Sequence, residues 1–354
     1  MKSRKTLAVF ALLISTALVG ATAQADKRIK AKLHSAWGAA VPHLGTSGVR
    51  FAENIKRLSG GDFQVKFYEP GALVPGNEGF DATSKGSIEM AWTTAGYDVG
   101  KYPALAYFTA VPFGPSVGEY FAWKMFGGGN EIQQRIYADH NIKQMDCLAI
   151  GPETSGWFKE EITDLEQLRG LKMRFFGLGA RVMQKLGVST QLLAGGDIFP
   201  ALEKGVIDAT EFSMPAMDIK YGFYQIAKNN YFPGWHQQVS ISQLLVNMDF
   251  WNSLPDNYQA MIEIACGDSI HYVYAETEYV NPFAMVEMGE KYGVHTRRWT
   301  DDQIAVFEKA WKEVVAEDSA SDPLFKEVNA SYETFRQAYG KWGAAQSLKP
   351  TYLD

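Results

Sequence analysis

Short apolar runs and amphipathic stretches follow one another from residue 29 onward. Residues 29–33 predict a strand, followed by an aromatic, glycine-containing loop, Trp37-Gly38-Ala39-Ala40. Between His43 and Leu58 the apolar positions Leu44, Val49, Phe51, Ala52 and Ile55 fall close to helical spacing. Ser59-Gly60-Gly61-Asp62 ends that helix, and residues 63–67 alternate as a strand. A Gly- and Pro-rich loop leads to a short helix over 80–85, closed by Gly86, and to a strand over 88–93. A strand over 144–151 restarts the rhythm. It continues as helix 165–169, strand 172–175, helix 179–186, strand 191–193, helix 198–203 and strand 209–211. Two such βαβ units predict an α/β fold of doubly wound type. No flexible tether separates them, which suits two lobes joined by a hinge. From Pro255 the pattern turns helical. One run covers 256–292, with Pro282 predicting a kink or break. A second covers 300–316, opened by the cap Thr300-Asp301-Asp302-Gln303, and a third covers 323–339.

The first 25 residues do not fit this rhythm. Lys2, Arg4 and Lys5 precede an uncharged apolar stretch over 6–20, and Ala23-Gln24-Ala25 has the small-x-small form of a cleavage site. Residues 1–25 therefore read as a secretory signal peptide, and the rest as an exported chain. The 354 residues carry a net charge of −6 with no basic tract, which argues against nucleic acid. Six histidines include no HExxH pair, so a catalytic zinc motif is absent. The two cysteines, Cys147 and Cys266, permit one disulfide, but their apolar neighbours favour two buried thiols.

Two stretches concentrate candidate chemistry. Arg174 stands near the end of a predicted strand, ahead of the glycine turn Gly177-Leu178-Gly179. Strand ends are where ligands sit in α/β sheets, and a guanidinium fork matches a carboxylate. Glu211 follows the run Gly205-Val206-Ile207-Asp208-Ala209 and would also reach a strand end. His236, beside Trp235, reads as a packed core residue rather than a general base.

These stretches, with Gly205-x-Ile207-Asp208-Ala209-x-Glu211 and Tyr231-Phe232-Pro233-Gly234-Trp235-His236, resemble the solute receptors of tripartite ATP-independent periplasmic (TRAP) transporters. Trp37-Gly38-Ala39, Ser59-Gly60-Gly61, Glu69-Pro70-Gly71 and Trp157-Phe158 extend the likeness over nearly the whole exported chain. It is strongest to the branch that binds 2-oxo acids and related small carboxylates. The resemblance implies a two-lobed periplasmic binding protein fold with a hinge and long C-terminal helices. It implies a first lobe over 26–150 completed by 240–282, a second over 151–239 completed by 283–334, and a C-terminal extension over 335–354. It implies that Arg174 anchors a ligand carboxylate, that Tyr97 contacts the ligand from the first lobe, and that Trp37 walls the pocket. A bridging Na⁺ or Ca²⁺ would be held by Glu153, Glu211, Gln237 and the main chain of Phe212. This chain departs from the branch by having Glu153 where Gln is usual, Gln237 where an acid is usual, and Phe212 where Trp is usual. The first two changes leave one carboxylate and one carboxamide, so an oxygen site keeps its charge.

The implied function is capture of a small organic anion in the periplasm and delivery to TRAP membrane subunits, without catalysis. Two carboxylates and an amide would also suit a metal-free amino or hydroxy acid. An exported enzyme such as a lyase, or a ligand-presenting sensor, are the other readings; no nucleophile–base pair supports the enzyme. The aromatic stretch over 335–354 either crosses to a partner in a homodimer or folds back on its own lobe.

Overall fold

The computed structural model describes residues 28–346, so residues 1–27, with the segment read as a signal peptide, and residues 347–354 lie outside the described part. Eleven strands among the described residues form two sheets. In chain order they are β1 Ile29–Ser35, β2 Phe63–Tyr68, β3 Met90–Thr93, β4 Ile142–Ile150, β5 Gly156–Phe158, β6 Lys172–Arg174, β7 Ser189–Gln191, β8 Ala209–Thr210, β9 Asn229–Phe232, β10 Ser240–Asn247 and β11 His295–Arg298. One sheet has the order β2-β1-β3-β10-β4 and the other β11-β9-β5-β8-β6-β7. The α/β architecture with long C-terminal helices is as expected.

The chain passes from the first sheet to the second between β4 and β5, and returns between β9 and β10. The two crossings touch. The Glu153 N–H donates to the Gln237 carbonyl at 3.1 Å. Gly234 makes this approach feasible, because a Cβ there would lie 2.0 Å from the Glu153 carbonyl oxygen. All eight residues of β10 are buried between β3 and β4, antiparallel to both. With no polar alternation, that strand carries no period-two signal, and the sequence reading passes over it. The predicted strand at 191–193 falls two residues earlier, at Ser189–Gln191, because its register is set by parallel pairing with Lys172–Arg174.

The third crossing is a helix, Asp256–Glu290. Ile262, Ala265, Ser269, Val273, Thr277, Asn281, Ala284 and Met288 form its buried stripe at intervals of three and four. Its first half packs on the first sheet, and Cys266 is disulfide-bonded to Cys147 of β4. This corrects the reading of two free thiols. Both sulfurs are buried as expected, but local polarity cannot reveal a pairing across 119 residues. The second half reaches the other sheet's helices, where Asn281 Oδ1 accepts the Ala216 N–H at 2.9 Å. The helix runs through Pro282 without a break. The carbonyl deprived of its partner belongs to Glu278, on the exposed face of the helix, where the lost bond costs least.

Thr300 and Gln303 form the predicted capping box of the helix Asp301–Ser321. The last helix, Pro323–Gln346, folds back on its own chain: Arg336 meets Glu119 at 3.1 Å and donates to the Phe113 carbonyl. No helix among the described residues is long and apolar enough to cross a membrane.

Candidate functional site

Arg174 ends β6, and Glu211 follows β8, its parallel neighbour. Pairing Arg174 with Thr210 therefore brings both functional side chains to the same C-terminal sheet edge. Both are buried. Arg174 Nη1 donates to the Glu211 carbonyl at 2.6 Å and to Glu211 Oε1 at 2.8 Å, and Nε donates to the Leu193 carbonyl at 3.3 Å. The Phe176 N–H also donates to Glu211 Oε1, at 2.5 Å. The guanidinium lies between the rings of Phe212 and Phe176, 5.3 and 5.8 Å from their centroids. Among the described residues no hydrogen bond uses Nη2. The fork expected to grip a carboxylate with two nitrogens is thus half engaged by Glu211 and presents Nη2.

Glu153 and Gln237 sit on the two crossings, opposite this sheet edge. Glu153 Oε1 accepts the Ser213 hydroxyl at 3.3 Å, and the Gln237 amide nitrogen donates to Ser240 Oγ at 2.6 Å. Each of the three side chains is therefore held by one atom and leaves the other free. Glu153 Oε2, Glu211 Oε2 and Gln237 Oε1 are all buried and have no hydrogen-bond partner. Glu153 and Gln237 line one cavity and Glu211 stands behind Arg174, and three orphaned buried acceptors are costly unless a cation or donor completes them. His236 joins this group. It is buried against Phe175, as a core residue would be, and its Nε2 is 3.5 Å from Glu211 Oε2. One ligand atom each from Glu153, Glu211 and His236 lie within 4.8 Å of one another.

Trp37, Thr94 and Tyr97 line the other side of a small cavity of about 30 Å³. The rings of Trp37 and Tyr97 are 6.3 Å apart, and Tyr97 meets Phe176 edge-on at 5.9 Å. Phe176 also covers Gly96, where a Cβ would lie 1.9 Å from its ring. The short 3₁₀ turn Ala95–Tyr97 and the segment after β6 are therefore closed upon each other. The structure thus brings together Trp37, Tyr97, Glu153, Arg174, Phe212 and Gln237 at one cavity, with Glu211 directly behind Arg174.

Charge in the site is graded by its surroundings. Burial, then the neighbouring Glu211, pushes the Glu153 carboxyl well above the usual carboxylate range. Burial would do the same to Glu211, but Arg174, followed by His236, holds it below its ordinary value. Burial raises the Tyr97 phenol. Behind the site, Asp218 accepts from Trp157 Nε1 at 2.7 Å and from the Ser213 N–H at 3.2 Å, and burial lifts it to about 7. Ser213, Asp218 and Ser240 escape a reading of the sequence, and the place of His236 beside Glu211 is not legible there although its burial is. Asp218 looks like a solvated helix charge, and the serines matter only through partners that folding supplies.

A binding cavity buried between two α/β lobes, with the chain crossing at its rim, defines a two-lobed solute-binding protein. Residues 35–322 match the family model described as bacterial extracellular solute-binding protein, family 7. The chain belongs to that family. A monocarboxylate 2-oxoacid-binding periplasmic protein of Nostoc sp. is 32% identical, with 98% of this chain and 97% of the relative covered. A TRAP transporter solute-binding protein from Bordetella bronchiseptica has a TM-score of 0.87 at 30% identity, covering 90% of this chain and 94% of that one. It is a mixed-occupancy dimer, with co-purified calcium and picolinate in one site and the other site apo. A TRAP periplasmic solute-binding protein from Pseudoalteromonas atlantica has a TM-score of 0.86 at 27% identity, covering 91% and 100%, with bound sodium and pyruvate. The resemblance stated from the motifs is confirmed at the level of family and fold.

Proposed function

We propose that this chain captures a small 2-oxo monocarboxylate or related anion between its lobes, through Arg174 and a bridging Na⁺ or Ca²⁺. The observation that carries this reading is the set of three buried, unpartnered oxygens, Glu153 Oε2, Glu211 Oε2 and Gln237 Oε1. Oxygen donors of this kind, with both carboxylate and carboxamide present, suit a hard cation and not a second anion. The Phe212 carbonyl completes the protein's share. Arg174 Nη2 takes one carboxylate oxygen, and the remaining ligand oxygens reach the cation. Without the cation, an anion beside Glu211 at about 4 Å meets a repulsion on the order of 4 kcal/mol at an effective dielectric of 20. Trp37 and Tyr97 close the cavity from the first lobe.

In this reading residues 1–25 direct export, the protein works in the periplasm, no bond is made or broken, and the closed form delivers its ligand to TRAP membrane subunits. The two-lobe division expected from the motifs, 26–150 and 151–239 with returning segments, is part of it. A homodimer is supported by the Bordetella dimer and by Trp342, 61% exposed near the end of the last helix. Light scattering on the purified chain reads that directly, at one chain mass or two. Native mass spectrometry of protein purified without refolding tests the ligand. The expected result is a mass increment equal to one small carboxylate plus Na⁺ or Ca²⁺. An amine or a sugar as the carried ligand overturns the reading.

A further inference from the structure

We infer that the cation site is complete on the second lobe and the two crossings alone, so that the cation binds first, the carboxylate second, and closure follows. This rests on the cation-bridged reading above, and goes beyond it by assigning an order. The observation behind it is where each donor is held. Glu211 Oε1 is fixed by Arg174 Nη1 and the Phe176 N–H, all within the second sheet's edge. Glu153 Oε1 is fixed by Ser213 of the same lobe. The Gln237 amide is fixed by Ser240, the first residue of β10, where the second crossing joins the first sheet. None of these contacts uses Trp37, Thr94 or Tyr97.

The crossings also set the spacing of the donors without help from closure. The Glu153 N–H to Gln237 carbonyl bond and the close approach at Gly234 tie the two segments backbone to backbone. A donor set positioned in advance binds without the entropy loss of assembling it. The carboxylate's surroundings differ. They need the lobe carrying Trp37 and Tyr97 to meet the lobe carrying Arg174, and Phe176 reaches Gly96 only when it does. A bound cation also supplies the positive field that an incoming anion lacks beside two buried carboxyl groups. It follows that the cation occupies the open form and the anion selects the closed one.

The test uses the full exported chain, stripped of ligand by unfolding and refolding, in sodium-free buffer after chelation. Calcium alone is titrated by calorimetry, with small-angle scattering on the same samples, and pyruvate is added afterwards as probe. The expected result is one Ca²⁺ bound per chain with no change in radius of gyration, followed by a fall in that radius when pyruvate is added. Glu153→Ala, which removes both carboxyl oxygens, should weaken Ca²⁺ binding at least tenfold. Gly96→Ala, which hinders closure, should leave Ca²⁺ affinity within about twofold while weakening pyruvate at least tenfold, changes on the order of 0.4 and 1.4 kcal/mol. Calcium that binds only when pyruvate is present, or Ca²⁺ affinity lost with Gly96→Ala, overturns the order and leaves the bridge intact. Calcium bound unchanged by Glu153→Ala places the ion elsewhere and also overturns it. Pyruvate bound equally well with no cation at all contradicts the bridge itself, a different and recognisable outcome.

Discussion

Arg174 enters the site already half engaged, and its chemistry depends on that. Nη1 and Nε are held by Glu211 and Leu193, so the guanidinium cannot swing, and Nη2 is presented to the cavity. Lysine would keep a charge but could not hold Glu211 and a ligand at once. We predict that Arg174→Lys weakens pyruvate binding by at least tenfold, about 1.4 kcal/mol, in calorimetry; wild-type affinity would contradict the anchoring role. A second residue reports on stability. Asp98 is buried, and burial lifts its carboxyl from 3.8 to about 7. The folded chain therefore keeps a proton that the unfolded chain releases between these two values. Stability should fall as pH rises from about 4 to 7, by at most about 1.4 kcal/mol per pH unit from this group. Above 7 that contribution is constant. Asp98→Asn mimics the protonated form and should remove this part of the slope in urea unfolding; an unchanged slope would mean that Asp98 is charged in the fold.

At the scale of elements, the site is made by how strands and crossings meet. Arg174 is legible in the sequence because it stands at a predicted strand end before a glycine turn, and Glu211 because it follows an apolar run. Their partnership is not, since it arises from the β6–β8 register. The same holds for β10, where eight buried residues erase the alternation that identifies a strand. The hydroxyls of Ser213 and Ser240 gain their roles only once the crossings are in place. The long helix Asp256–Glu290 joins both sheets, and its disulfide to β4 anchors one half to the first lobe. Closing a loop of this order contributes about 2–5 kcal/mol. The double variant Cys147→Ala, Cys266→Ala should lose stability in that range in denaturant unfolding while still binding pyruvate. Stability unchanged under oxidising conditions would mean that the two sulfurs are not bonded.

Across the whole molecule, two α/β lobes meet at a cavity whose floor and crossings bear the polar chemistry and whose far wall is aromatic. The family, the fold and most residues of this cavity follow from motifs spaced over residues 37–236. What folding adds is the arrangement of the free atoms: buried, unpartnered oxygens of Glu153, Gln237 and Glu211, and one guanidinium nitrogen of Arg174 that no hydrogen bond engages. The central claim is that a cation joins these oxygens to a small carboxylate. It is tested most directly by calorimetric titration of pyruvate into ligand-free protein, first with Ca²⁺ present and then after exhaustive chelation in sodium-free buffer. The account predicts at least a tenfold loss of affinity on removing the cations, about 1.4 kcal/mol, and a similar loss for Glu211→Gln with Ca²⁺ present. Pyruvate affinity indifferent to both would contradict it.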